Sequence, residues 1–298
     1  MDFSLLLDGL NDKQREAVAA PIGNYLVLAG AGSGKTRVLT HRIAWLIGVE
    51  NVPESNILAV TFTNKAATEM RHRIESTLFQ TSNHSMFGMW VGTFHSIATR
   101  LLRSHYLDAA LPQDFQIMDS EDQVRLLKRL LKLHNIDEKH FPPKHVAWYI
   151  NAQKDKGNRA KDIEHHNDLN EKKLVEIYQL YQEACDRAGL LDFAELLIRT
   201  YEMLKKKPLI LQRYQQRFQH ILIDEFQDTN NIQYDLIRLL AGDSGKVMIV
   251  GDDDQSIYGW RGAQVENIQK FLKDYPKAET IRLEQNYRST GHILSAAN

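Results

Sequence analysis

The sequence predicts an α/β fold: a doubly wound parallel sheet whose strands are divided along the chain by an all-helical insertion. Three observations predict it. Short apolar runs alternate with helix-like segments over the first third of the chain. The alternation then gives way to about a hundred residues of amphipathic helix, and afterwards it returns.

The elements follow in order. Tyr25 to Ala29 is apolar and runs into a glycine-rich turn, and 36–47 reads as a helix closed by Gly48. A second strand is expected at 57–62, where Asn64 can cap the helix NKAATEMRHRIESTL, and a third at 89–93. Such continuous apolar runs suit strands buried on both faces of a parallel sheet. Within the insertion, Ser120 and Gln123 have capping-box spacing ahead of VRLLKRLLKLH. A long amphipathic helix covers 170–188 and ends at Gly189. Asp192 and Glu195 repeat the capping spacing before a helix reaching Leu204. Strand signals return at 220–223 and 246–250 with a helix at 231–240 between them, and the tail IRLEQNYRSTGHILSAAN reads as a strand, a loop and the opening of a helix. The expected division is an α/β domain at 1–114 and 215–281, a helical insertion at 115–214, and the start of a further domain at 282–298.

Composition narrows the class. With 298 residues, 43% hydrophobic and 25% charged, the chain has enough apolar material for about two cored domains, which excludes long disorder and collagen-like structure. Its one cysteine, Cys185, cannot close an intramolecular bridge, so a disulfide scaffold is excluded and a reducing compartment fits; its place on an amphipathic helix reads as packing. No apolar run approaches the roughly 20 residues that cross a bilayer. The acidic N-terminus MDFSLLLDGLND lacks the basic region of an export signal. A net charge of −1 gives no global basic field toward nucleic acid, although local clefts in a neutral protein can still be basic. The run Lys205 to Lys207 near a helix end reads as a solvated face.

Residues 29–36, AGAGSGKT, follow a predicted strand and open a predicted helix. A strict P-loop begins with glycine, where this chain has Ala29. Gly30, Gly32 and Gly34, interleaved with Ala31 and Ser33, allow backbone N–H groups to turn inward around phosphate oxygens. Lys35 is then expected to reach the β- and γ-phosphates, and the Thr36 hydroxyl to bind Mg²⁺. A nucleotide hydrolase also needs carboxylates. ILIDEFQD, 221–228, sets Asp224 to hold Mg²⁺ and Glu225 to orient and deprotonate water, at the end of a strand. The helical insertion separates the two motifs in the chain, yet strands of one sheet can bring them together.

AGAGSGKT, VTFTNKAA (60–67), VGTFHS (91–96), IDEFQDTN (223–230), VGDDDQSIYGWRGA (250–263) and LEQNYRS (283–289) occur in order, after LNDKQREAV near the N-terminus. Together they resemble the successive motifs of superfamily 1 DNA helicases of the UvrD/Rep/PcrA type, across essentially the whole chain. The resemblance implies a RecA-like ATP-binding domain with a helical insertion, and ATP and Mg²⁺ as cofactors. By the same resemblance Gln14 reads the adenine edge, Arg37 lies near the base or ribose, Gln255 senses the γ-phosphate, Tyr287 stacks on adenine and Arg288 is an arginine finger. Phe62, Thr63, Asn64, Thr93, Phe94, His95, Tyr258 and Trp260 are implied DNA contacts, the rings offering stacking platforms that tolerate any sequence. Phe62 and Phe94 also read as core residues and His95 as a structural histidine. Arg261 is open between a phosphate contact and a loop-holding ion pair.

The implied function is a 3′→5′ DNA helicase and single-strand translocase acting in excision and mismatch repair and in replication. Its implied partners are single-stranded DNA, single/double-strand junctions and DNA repair proteins, in the cytoplasm and without a membrane. Members of the family carry a second RecA-like domain, and Asn298 falls where that domain would begin. The sequence is therefore expected to be the N-terminal half, weakly active or inactive alone. The alternative readings are a nucleotide-dependent DNA-binding module without motor activity and the motor subunit of a helicase–nuclease complex.

Overall fold

A computed structural model describes residues 6–30, 32–81, 88–164, 168–252, 266–283 and 285. In chain order the elements begin with α1 (Asp12–Ala19), β1 (Tyr25–Ala29), α2 (Lys35–Gly48), β2 (Ile57–Thr61), α3 (Asn64–Thr81), β3 (Trp90–Thr93) and α4 (Phe94–Ser104). There follow β4 (Gln116–Ile117), α5 (Ser120–Leu133), α6 (Pro143–Asp155), α7 (Leu169–Ala188), β5 (Leu190–Leu191), α8 (Phe193–Lys206) and α9 (Pro208–Arg217). The last are β6 (His220–Ile223), α10 (Asn231–Ala241), β7 (Lys246–Gly251), α11 (Glu266–Asp274) and β8 (Glu279–Leu283). No helix among the described residues is long and apolar enough to cross a membrane.

The chain forms two compact units. One comprises Met1–Phe94, Leu209–Thr229 and Ile237–Asn298; the other comprises His95–Pro208 and Asn230–Leu236. The second unit therefore includes α4 beyond Phe94, and the first includes α9. These units follow spatial contact, whereas the expected divisions at 114/115 and 214/215 follow changes of periodicity along the chain. Helical periodicity shows that a face is buried, not which core buries it.

The first unit is built on a six-stranded, all-parallel sheet in the order β3-β2-β6-β7-β1-β8. β2, β3 and β6 are buried at every position, as strands covered on both faces require. β8 at the edge alternates, with Ile281 and Leu283 inward and Arg282 exposed. From β1 the chain crosses to β2, three places along the sheet, whereas from β7 it passes over β1 to β8. The crossovers thus diverge beside β1, and an open α/β sheet receives ligands at the carboxyl ends of strands flanking such a point. The motif segments at 29–36, 60–67, 223–230 and 250–252 all leave carboxyl ends of these strands.

The second unit is helical apart from the short parallel pair β4–β5. Leu127, Leu131, Val146, Ile150, Ile177, Tyr178 and Tyr181 form its core together with Cys185, whose thiol burial pushes up to about 12, as suits a packing residue. Polar groups also lie inside. The Lys154 ammonium, fully buried, is 2.7 Å from Asp192 Oδ2 and 2.9 Å from Glu195 Oε2. The Tyr181 hydroxyl donates to the same Asp192 oxygen at 2.8 Å. Arg159 forks onto both oxygens of Glu195 and onto Glu202, and Arg199 joins Glu195 from the next turn of α8. Burial acts to raise the Glu195 carboxyl, but Lys154, Arg159 and Arg199 overcome it and hold the group far below the ordinary range.

Two caps differ from the sequence reading. The Thr63 hydroxyl, one residue before Asn64, accepts the Ala66 N–H at 3.1 Å, so Asn64 is the first helical residue rather than the cap. Asp119, not Ser120, caps α5 by accepting the Asp122 N–H at 2.8 Å. Gln123 instead turns inward to Asn151 and Asp192. Asp192 does cap α8 through the Glu195 N–H at 2.7 Å, and Gly189 closes α7 in the left-handed conformation. Lys205 to Lys207 are exposed, with Lys207 3.0 Å from Asp108.

Candidate nucleotide site

The loop after β1 turns on two left-handed glycines, Gly32 at φ 71° and Gly34 at φ 85°. At Gly34 a side chain is excluded by space as well as by backbone, because a Cβ would lie 2.8 Å from Gln14 Nε2. Ser33 braces the loop, its hydroxyl donating to Gly30 O at 2.7 Å. Gly34 has no side chain to cap α2, so the N-terminal end of a 14-residue helix, with its positive dipole end, faces the loop.

β6 delivers the acidic pair to this loop. Asp224 Oδ2 accepts the Thr36 hydroxyl at 2.9 Å across 188 positions of chain, and Glu225 Oε2 lies 3.3 Å from Lys35 Nζ. Asp224 is 3% exposed, whereas the side chains of the Lys35–Glu225 pair are 9% and 37% exposed, so water screens that attraction in part. Burial pushes the Asp224 carboxyl up to about 6, and neighbouring Glu225 adds to the shift. The Thr36 hydroxyl, the Glu225 N–H and Lys35 oppose it. A buried carboxylate beside a hydroxyl is a hard-oxygen donor set, and a small divalent cation sharing its shell with phosphate oxygens fits it.

Glu225 adopts φ 53°, ψ 43°, a left-handed conformation that costs a residue with a Cβ about 1–3 kcal/mol. The turn after it is locked. Phe226 is fully buried edge-on to Phe271, and Asn267 on α11 donates to Thr229 O at 2.9 Å. Gln227, 2% exposed, spans from the Glu225 carboxylate to the Asp252 N–H at the end of β7. Gln227 is barely marked in the sequence. Its one signal is its place two residues after Glu225, and side-chain direction is not legible from spacing.

The other expected site residues are distributed as follows. Gln14 is 2% exposed with both ends of its amide engaged: Nε2 donates to Ser33 O at 2.9 Å, and Oε1 accepts the Asn11 N–H at 3.0 Å in a capping box. It therefore clamps α1 to the phosphate loop. Arg37 is exposed one residue beyond Thr36, bordering an open groove of about 900 Å³ between α2 and α3 that Lys35, Thr36 and the acidic pair do not line. At the ends of β2 and β3, Phe62 is half-buried, Thr63 and Asn64 are exposed, Thr93 is buried, and Phe94 is 3% exposed and meets Phe62 edge-on at 5.6 Å. His95 belongs to the helical unit and packs edge-on to Phe193 at 5.8 Å. Ala31, Gln255, Tyr258, Trp260, Arg261, Tyr287 and Arg288 lie outside the described residues.

Comparison with known proteins agrees with this geometry. Residues 10–276 match the UvrD/REP helicase N-terminal domain. The chain is 76% identical over 298 residues to DNA helicase II of Haemophilus influenzae and 70% identical to that of Escherichia coli. It is 45% identical over 297 residues to the ATP-dependent DNA helicase PcrA of Staphylococcus epidermidis. All of the chain aligns with the first two, and it spans 41% of the length of each; 99% of it aligns with the third, of which it spans 40%. With a phosphate loop and an acidic pair on one parallel sheet, and the family's N-terminal domain covering most of its residues, the chain belongs to the UvrD/REP helicase family.

Proposed function

We propose that the chain is the ATP-binding, N-terminal half of a 3′→5′ DNA helicase and single-stranded DNA translocase, with residues 1–114 and 215–281 as its RecA-like lobe, 115–214 as its helical insertion and 282–298 as the start of a second RecA-like lobe. The observation that carries this reading is the convergence of Thr36 on Asp224 and of Lys35 on Glu225 at the carboxyl edge of the sheet.

In this reading the loop N–H groups and Lys35 hold the β- and γ-phosphates of ATP, and the Thr36 hydroxyl and the Asp224 carboxylate hold Mg²⁺. When bound, Mg²⁺ neutralises charge on the β- and γ-phosphoryl oxygens. Glu225 accepts a proton from a water whose oxygen bonds to the γ-phosphorus as the bond to the bridging oxygen breaks, yielding ADP and phosphate. Lys35 and Gln227 both approach Glu225 Oε2, which leaves Oε1 for that proton. Gln14 and Tyr287 serve the adenine and Arg37 the base or ribose; Gln255 and Arg288 serve the γ-phosphate. Phe62, Thr63, Asn64, Thr93, Phe94, His95, Tyr258 and Trp260 form the DNA track. Partners are single-stranded DNA, its junctions with duplex, and DNA repair proteins. The work is excision and mismatch repair and replication, in the cytoplasm.

Strand polarity tests the reading. The full-length protein with ATP and Mg²⁺ is expected to unwind a duplex bearing a 3′ single-stranded tail and to leave a 5′-tailed duplex intact. Unwinding from the 5′ tail alone would overturn the polarity. Nucleotide-dependent DNA binding with no unwinding from either tail would favour a binding module over a motor.

A further inference from the structure

The Gln227 carboxamide is used at both ends. Nε2 donates to Glu225 Oε2 at 2.7 Å, and Oε1 accepts the Asp252 N–H at 3.1 Å. Its Oε1 stands 2.9 Å from where a Cβ on Gly251 would sit, so a side chain at the last residue of β7 would press on the amide. The far end of the same turn is pinned by Asn267, which reaches both the carbonyl and the hydroxyl of Thr229, at 2.9 and 3.3 Å. Glu225 itself sits in a left-handed backbone conformation that only a well-braced turn sustains.

Glu225 Oε2 is shared between Lys35, at 3.3 Å, and Gln227. A triphosphate in the loop competes for the Lys35 ammonium with several negative charges against one. Once Lys35 turns to the phosphates, Gln227 remains as the donor holding the carboxylate. We propose that Gln227 is a positioning residue for hydrolysis: its carboxamide ties the Glu225 carboxylate to the carboxyl end of β7 and keeps it aimed when Lys35 is drawn to the nucleotide. The proposal rests on the nucleotide-hydrolase reading of the site. It assigns Gln227 no contact with substrate, so its loss should slow the chemical step and spare binding. A displacement of about 1 Å in an aligned group is enough to cost on the order of 100-fold in rate.

Single-turnover ATP hydrolysis by the full-length protein on single-stranded DNA, read beside equilibrium titration with Mg·ADP, tests the role. Gln227→Met is expected to lower the rate about 10- to 100-fold while changing ADP affinity less than about twofold. Gln227→Glu keeps the size and the acceptor for the Asp252 N–H but loses the donor, and is expected to lose rate to the same extent. If Gln227→Met melts early and cannot be assayed, Gln227→Glu decides. In a Glu225→Ala background, adding Gln227→Met is expected to cost nothing further, because the group it positions is gone. Full rate in Gln227→Glu would overturn the proposal, and so would losses that multiply in the double variant. Full-rate turnover in Lys35→Ala would instead overturn the assignment of nucleotide hydrolysis to this site.

Discussion

Lys35→Ala is expected to reduce DNA-stimulated ATP hydrolysis by the full-length protein at least about 100- to 1,000-fold, the usual cost of removing a charge aimed at developing phosphoryl charge. The reason is burial. At 8% exposure the ammonium has few waters to replace it, and the first-turn N–H groups carry only partial charges. Glu225→Gln should stop turnover comparably, about 10²- to 10⁴-fold, by a different route. The amide cannot accept the proton of water, but its size is unchanged and the Lys35 ammonium keeps its charge for the phosphates. Nucleotide affinity is therefore expected to fall in Lys35→Ala and to persist in Glu225→Gln. Steady-state phosphate release and a nucleotide titration on each variant check this pair, and unchanged turnover in either contradicts the assigned roles.

The second large effect concerns stability. Lys154→Met is expected to destabilise the helical unit by about 3–5 kcal/mol, since it leaves the Asp192 and Glu195 carboxylates buried without their central cation. Arg159 and Arg199 still face Glu195, so Asp192, whose charge partner is Lys154, is left worst served. Changing Lys154→Met together with Asp192→Asn should recover much of the loss, because removing both charges relieves the desolvation cost that removing one exposes. Urea unfolding of the three proteins measures it. A loss below about 1 kcal/mol in Lys154→Met would show that the buried ammonium is not the keystone of the network.

Much of this was legible in the chain. The glycine turn at 29–36 and the acids at 224–225 announced their chemistry by residue type, because few side chains satisfy a phosphate or a magnesium ion. The strands of the sheet read as apolar runs because burial on both faces removes alternation. The order of those strands was not legible: nothing local in Tyr25–Ala29 states that it lies between β7 and β8. Nor was the placement of Gln14, which meets Ser33 O across 19 residues, a distance that periodicity does not encode. Lys154 does carry a signal in the sequence. It stands four residues after Ile150, on the face that also buries Val146 and Ala147, and a cation on an apolar stripe marks a buried charge awaiting partners.

In the proposed site one metal–nucleotide cluster is held jointly by Thr36, the residue after the loop lysine, and by Asp224, the first acid after β6. The most direct measurement is calorimetric titration of ADP into the full-length protein with and without Mg²⁺, for wild type, Thr36→Val and Asp224→Asn. Mg²⁺ is expected to strengthen ADP binding in the wild type and either substitution to remove most of that gain, while metal-free ADP affinity stays within about threefold. A Mg²⁺ gain that persists undiminished in both variants would contradict it.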